Sequence, residues 1–238
     1  MDFNIIEFDQ LGSTNDEASK SIYNHGDIIL THNQDAGRGQ RGNKWQATAG
    51  ENLTCTFVVQ PTHIPVYEQF MISMIGAMGC IDALKKLGLE AQVKWPNDIY
   101  VKNNKIGGIL IEHHSQGEKL SRSIIGIGIN VNQSDFHPDI PNPTSLKSEG
   151  IDVCVSNVLE VLMESIAHRY SQNIEKLHSD FMTNIYRKGD TFYPYRDAKG
   201  EFRATIKGVD AKTGQLTLLD TDNNERKYWF KEVEIILY

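Results

Sequence analysis

Gln34–Trp45 reads QDAGRGQRGNKW, and how these twelve residues are taken decides the fold. Gly37, Gly39 and Gly42 spell GxGxxG. In a dinucleotide-binding fold that string follows a strand and opens a helix, so that a pyrophosphate rests on the helix N-terminus. A strand is expected upstream, over Ile28 to Thr31, but the residues downstream are polar NKWQATAGEN and then Leu53 to Val59, which is β-branched and strand-like. With no helix opening at Gly42, the doubly wound reading fails. What remains is a glycine-rich loop carrying Arg38, Arg41 and Lys44. Glycine lets the backbone approach a ligand closely, and guanidinium groups fork onto phosphate or carboxylate oxygens. The loop is suited to holding an anion; the alternative is a solvated basic turn with no ligand.

At 238 residues the chain has room for one good-sized core and a small second domain. The formal net charge of −7 speaks against non-specific DNA binding, which needs cations to displace counterions. Cys55, Cys80 and Cys154 are far apart with no CxxC pair, so neither a disulfide framework nor a zinc site is indicated, and free buried thiols are expected. Asp2 and Glu7 stand where a signal peptide would be basic, and no apolar run is long enough to cross a membrane. A cytoplasmic protein is the expectation.

In chain order, Asn4 to Phe8 alternates weakly as a first strand. Thr14 and Glu17 stand at capping-box spacing, with Ser13 as a second cap, and predict a helix of roughly ten residues from Asn15 to near Gly26. Pro65 to Leu87 is too apolar all round for a surface helix and is expected to be buried, its methionines being packing material. VKWPND, Val93 to Asp98, breaks a strand at proline and sets Lys94, Asn97 and Asp98 on a turn, a combination suited to a nucleotide phosphate and its magnesium. Lys105 to Glu112 is a strand with Gly107 and Gly108 inside it. Ile124 to Val131 is another, whose Gly126, Gly128 and Asn130 share one face and form a groove. Val155 to Ile185 reads as one helix at near 3.6 spacing. Beyond Gly189 short alternating strands and turns suggest a small barrel. His113 and His114 are adjacent in a strand, point to opposite faces, and are not expected to share a metal.

Four separated strings then coincide: STN at Ser13 to Asn15, QDAGRGQRGNKW, KWPND at Lys94 to Asp98, and KIGGILIE followed by GIGINVN. In this order and spacing the chain closely resembles the biotin–protein ligases, and the resemblance runs through PTSL near Thr144 to the terminal KEVEIIL. It implies an α+β fold, a mixed β-sheet flanked by helices of the class II synthetase type, with a catalytic domain over 1–188 and a small C-terminal β-barrel over 189–238. It also implies a two-step reaction. Biotin carboxylate attacks the α-phosphate of ATP to give biotinyl-5′-AMP and pyrophosphate, and a lysine of a biotin carboxyl carrier protein then takes the acyl group. A carboxylate is already ionised at neutral pH, so this first step asks for no general base; the difficulty is bringing two anions together.

By that resemblance Arg38 and Lys105 are the catalytic cations. Ser13, Thr14, Asn15, Gln34, Gly39 and Gln40, with Arg38 and Lys105, surround biotin. Arg41, Trp45, Lys94, Asn97, Asp98 and Asn130 face the nucleotide, with Asp98 touching Mg2+. Members with two consecutive arginines after the second loop glycine have Arg where this chain has Gln40, and Arg again where it has Asn43, so retention of the adenylate is expected to be looser here. STN at residue 13 leaves no room upstream for the winged-helix domain of bifunctional members, so a ligase without DNA binding is expected, with no membrane partner and with room for a homodimer. Two rivals stand beside this reading. A lipoate or octanoate ligase of the same superfamily is not expected to show GRGQRGNKW together with KWPND. A non-catalytic sensor of biotinyl-adenylate would not need Arg38 and Lys105.

Overall fold

The strand predicted at Ile124 to Val131 forms the middle of a seven-stranded sheet in the computed structural model, which describes residues 1–237 and leaves the side chain of Arg41 outside that description. Seven strands build it: β1 (Asn4–Leu11), β2 (Asp27–Gln34), β3 (Asn52–Val59), β4 (Gln92–Lys94), β5 (Asp98–Val101), β6 (Asn104–Gln116) and β7 (Lys119–Asn130). Their spatial order is β1-β2-β3-β7-β6-β5-β4, with β1 and β2 parallel and the remaining pairs antiparallel. This is the expected mixed sheet. Every residue of β3 is buried, because both faces of the central strands are covered.

One face is covered by α2 (Phe70–Lys86) and α3 (Val155–Tyr170). Thirteen of the seventeen residues of α2 are buried, which is why its sequence shows no polar stripe. Gly76 lets the helix settle on Ile125 and Ile109 of the sheet, and Gly79 makes room for Ile166 of α3. The other face carries α1 (Thr14–Ala18), whose Ala18 packs with Tyr23, Ile29, Val58 and Ile124.

Two helix expectations need correction. The first helix is five residues long rather than ten, and Ser13, not Thr14, is its N-cap, accepting from the Asp16 N–H at 3.4 Å. It ends early because Arg122 of β7 donates to the carbonyls of Ala18 and Lys20 at 2.6 and 3.0 Å, satisfying groups that another turn of helix would have taken. The predicted helix over Val155 to Ile185 is two, α3 and α4 (Ile174–Thr183). Asn173 caps the second by accepting from Lys176 N–H at 2.9 Å, a polar side chain competing with the backbone for its own turn. Buried Arg169 then clamps the three helices, with Nε on Asp82 of α2 at 2.6 Å and Nη1 on Asp180 of α4. The thiols divide: Cys55 and Cys80 are buried and burial pushes both upward, Cys80 to about 12, whereas Cys154 is exposed, contrary to expectation.

The C-terminal run forms β8 (Tyr193–Asp197), β9 (Gly200–Val209), β10 (Leu216–Asp220), β11 (Glu225–Tyr228) and β12 (Val233–Ile235), an antiparallel sheet in the order β11-β10-β9-β8-β12. It is tied to the larger sheet and its helices. Trp95 Nε1 donates to the Gly214 carbonyl at 2.9 Å, and the His178 ring meets the Val209 carbonyl at 2.7 Å. The main hydrophobic cluster continues from α2 into Ile206, Leu216 and Leu218. Among the described residues no helix is long and apolar enough to cross a membrane, and no group of three or more potential metal-ligating His, Cys, Asp or Glu side chains occurs.

His113 supplies a stability prediction. Its Nδ1 lies 2.8 Å from Ser123 Oγ across the β6–β7 pair, and burial, helped by the neighbouring His114, lowers its pKa to about 4. Between about pH 6.5 and 4 the unfolded chain binds a proton that the folded chain refuses, so stability falls as pH falls through that window and is fully present above it. The difference sets an upper bound of about 3 kcal/mol, reduced by solvent reaching the half-buried ring. Urea unfolding midpoints at pH 7 and pH 4.5 should differ less in His113→Gln than in the native chain; equal differences would remove this histidine from the acid response.

Candidate active site

The face of the sheet opposite α2 and α3 is a floor built by register. Asp98, Gly108, Gly128 and Thr54 lie side by side across β5, β6, β7 and β3, and Leu110, Gly126 and Thr56 form the next row. The glycines expected to make a groove do so, and two side chains are laid in it. A Cβ at Gly126 would overlap the Asn15 carboxamide, and one at Gly128 would overlap the indole of Trp45. Above this floor is a cavity of about 1000 Å³, enclosed by α1, the glycine-rich segment and the C-terminal sheet. Small-molecule sites run to roughly 300–1,000 Å³, so this one has room for two reactants.

At one end the wall is built of hydroxyls and amides, with the Arg38–Glu112 pair bonded to Asn15. Gln34, the last residue of β2, accepts from the Thr14 N–H at 2.8 Å and lies 3.2 Å from the Thr14 hydroxyl. The buried Thr56 hydroxyl sits 2.8 Å from both Thr14 Oγ1 and Asn15 Oδ1, and Asn15 Nδ2 reaches the Leu110 carbonyl at 3.2 Å. Ser13, Thr14 and Asn15 are all buried yet line the cavity, so their polar groups are fixed before anything binds.

The other end is charged. Lys105 Nζ is 2.6 Å from Asp98 Oδ1, and both side chains are about a quarter exposed (29% and 23%). The backbone of Lys105 is held on both sides, its N–H by the Asn142 carbonyl at 2.6 Å and its carbonyl by Thr144 N–H at 2.9 Å. Asn97 Nδ2 donates to the Ile109 carbonyl at 2.6 Å, fixing the hairpin turn between β4 and β5 beside Lys105. Lys94 stands over the Tyr100 ring, 4.9 Å from its centroid, and burial lowers its pKa against the opposing pull of Asp98.

The glycine-rich segment closes the top as a strap. It folds back on itself, with Arg38 paired to Lys44, Trp45 N–H on the Gly37 carbonyl at 3.0 Å and Gly39 N–H on the Asn43 carbonyl at 2.7 Å. At its tip Gln40–Gly42 make one turn of 3-10 helix, for which Gly42 supplies φ +87°. No α-helix opens there, as expected. Gly37 is needed for a different reason: a Cβ would strike the Trp45 carbonyl and the Gln34 amide. The turn between β11 and β12 holds the tip, Lys231 Nζ donating to the Gln40 carbonyl at 2.7 Å.

Ser13, Thr14, Asn15, Gln34, Arg38, Gly39, Gln40, Trp45, Lys94, Asn97, Asp98 and Lys105 therefore share one cavity. Asn130 sits behind it, buried, with its amide on the Thr144 carbonyl, where it braces the loop that holds Lys105. The Arg41 side chain lies outside the described residues. Reading the sequence did not single out Thr56, Glu112 or the C-terminal contributors Tyr195, Lys199 and Val233. Glu112 had a signal, since period-two alternation puts it on the face of Gly108 and Leu110; the C-terminal residues are far away in sequence and had none.

The sequence description of the biotin/lipoate A/B protein ligase family matches residues 7–130, just over half of the 238-residue chain, and its span includes the four strings except Val131 and Asn132 at the end of GIGINVN. The chain belongs to that family. Among curated relatives, the bifunctional ligase/repressor BirA of Bacillus subtilis is 26% identical over 97% of this chain and 74% of its own length. A biotin–[acetyl-CoA-carboxylase] ligase of Paracoccus denitrificans is 28% identical over 76% of this chain and 80% of its own. Among solved structures, a biotin protein ligase from Aquifex aeolicus in complex with biotin and ATP superimposes with a TM-score of 0.80, at 21% identity over 98% of each chain. That likeness shows the ligase-family fold, including the C-terminal sheet that lies beyond the matched residues.

Proposed function

We infer that this member of the family is an ATP-dependent biotin ligase, which makes biotinyl-5′-AMP and passes the biotinyl group to a lysine of a biotin carboxyl carrier protein. The observation that carries the reading is the single cavity in which the hydroxyls and amides of Ser13, Thr14, Asn15 and Gln34 and the cation Lys105 line one space over a floor that includes Gly108, Gly126 and Gly128. A ureido ring has donors and acceptors but no charge, which suits the fixed hydroxyls and amides of Ser13, Thr14, Asn15 and Gln34, with the Gly39–Gln40 backbone above. The valeryl carboxylate then reaches towards Lys105.

On this reading the carboxylate oxygen attacks the α-phosphorus, the bond to the bridging oxygen breaks, and pyrophosphate leaves with that electron pair. Lys105 offsets the repulsion between the two anions and stabilises the charge gathered on the phosphoryl oxygens. Lys94, Asn97 and Asp98 serve the nucleotide. Trp45 does so too, and its indole N–H, buried without a partner among the described residues, is a donor suited to a base. Magnesium takes few protein carboxylates and arrives with the phosphates, so one carboxylate, Asp98, fits as its protein contact; when bound it neutralises phosphate charge. In the second step the carrier lysine, as free amine, attacks the acyl carbon and AMP departs. We assign catalysis to 1–188 and closure of part of the cavity wall to 189–238.

A second reading, lipoate or octanoate transfer, has no observation favouring it. Calorimetry decides between them: biotin should bind saturably at the native chain, more tightly with ATP and magnesium present, while lipoate and octanoate should not compete at equal concentration. Competition by lipoate, or absence of biotin binding, would contradict the assignment.

A further inference from the structure

Glu112 closes the KIGGILIE string on the floor side of β6. Its carboxylate accepts both terminal nitrogens of Arg38, Nη1 at 3.0 Å and Nη2 at 2.8 Å, and also Asn15 Nδ2 at 2.9 Å. Arg38 Nη2 lies 2.7 Å from Asp16 as well. The fork of Arg38 is thus committed to protein carboxylates. Asp16 is 63% exposed, and such a pair holds little; the two-point contact with Glu112, itself shared with Asn15, is the one with defined geometry. Burial pushes the Glu112 carboxyl up, but the bonds from Arg38 and Asn15 outweigh it and leave it below the usual carboxylate range, so it is charged at neutral pH.

We propose that Glu112 is a positioning residue, the clasp that holds the strap through Arg38 and the ligand-facing wall through Asn15 on one carboxylate, so that both close on the reactants as a unit. Three different parts of the chain meet at this group: the strap, α1 and the sheet floor. Arg38 then acts through Glu112, by keeping Gly39 and Gln40 over the cavity, rather than by touching the reacting phosphate. A strap fixed in this way shields the mixed anhydride from water, and a strap released from it lets the adenylate hydrolyse or escape.

The inference rests on the biotin-ligase reading, and its test separates the two. Calorimetry with biotin and a measurement of free adenylate released per biotin transferred are made on the native chain, Glu112→Gln, Glu112→Asp, Arg38→Gln and the double variant Arg38→Gln/Glu112→Gln. Glu112→Gln is expected to raise the Kd for biotin about tenfold and to increase the released fraction. Arg38→Gln should do the same, and the double variant should be no worse than the weaker single one. Glu112→Asp, which keeps the charge, should recover part of the loss. Thermal melts should stay within a few degrees of the native chain, because the contact is at the surface rim of the core. Unchanged or tighter biotin binding in Glu112→Gln, losses that multiply in the double variant, or a loss matched by collapse of the melting temperature in both Glu112 variants would overturn the clasp. Failure of the native chain to bind biotin would instead contradict the functional reading.

Discussion

Lys105→Ala is expected to lower the rate of biotin-dependent adenylation by at least a hundredfold while leaving the fold in place. Two effects add. On the proposed mechanism the substitution removes a cation that offsets the repulsion between two anions, and a preorganised charge of this kind is worth roughly 2.7–4 kcal/mol in a transition state. It also takes away the ion-pair partner of Asp98, 2.6 Å away. The fold should survive because the pair is a quarter exposed and Lys105 is held through its backbone by Asn142 and Thr144, contacts that alanine keeps. Single-turnover formation of adenylate checks the rate and circular dichroism the fold. A rate within threefold of the native chain would move the chemistry away from Lys105.

Gly128→Val should behave differently, losing ligand binding without losing stability. Valine is favoured in a central strand, and β7 already reads as isoleucine and glycine in alternation. The new side chain would nevertheless occupy the seat of the Trp45 indole, and the strap that carries Trp45 is the part able to move. Lifting it opens the cavity and withdraws the indole from the nucleotide. We expect at least a tenfold weaker affinity for ATP in the presence of biotin, with a melting temperature equal to or above that of the native chain. An unchanged affinity would mean that the indole has no part in nucleotide binding. A fall in melting temperature of more than about 10 °C would mean that the glycine serves the sheet rather than the site.

The difference between these two predictions reflects what could be read from residues alone. Gly126 and Gly128 are two apart in a β-branched run, so period-two geometry places both on one face and makes a groove there. That face could be inferred without coordinates. Which side chains lie in the groove could not, because Asn15 and Trp45 arrive from elements more than eighty residues upstream. The glycine-rich segment was legible as a loop because nothing after Gly42 could start a helix. Its closure by Glu112 was not, since a carboxylate at the end of a strand is by itself an ordinary surface residue. Helix ends were the least legible of all. Arg122 cut the first helix short from a distant strand, and Asn173 divided what near-3.6 spacing presented as one segment. Periodicity reports the buried face of an element, whereas its limits are set by whichever side chain reaches the backbone first.

Asn130 illustrates the same limit within the site. Its parity with Gly126 and Gly128 is right, yet its amide holds the Thr144 carbonyl, so it braces the loop behind Lys105. Gln40 and Asn43 stand in the strap without the charge that arginine brings there in the members with two consecutive arginines. The Gln40 carbonyl, rather than its side chain, receives Lys231 of the β11–β12 turn. The strap is therefore held by protein groups at both its base and its tip.

All of this depends on the cavity joining a carboxylate to the α-phosphate of a nucleotide under a closed strap. ATP–pyrophosphate exchange tests it most directly, since exchange of labelled pyrophosphate into ATP occurs only if the enzyme forms an acyl-adenylate and reverses it. The account predicts exchange by the native chain that requires both biotin and magnesium and is lost in Lys105→Ala. Exchange that proceeds equally without biotin, or none with biotin saturating, would contradict it.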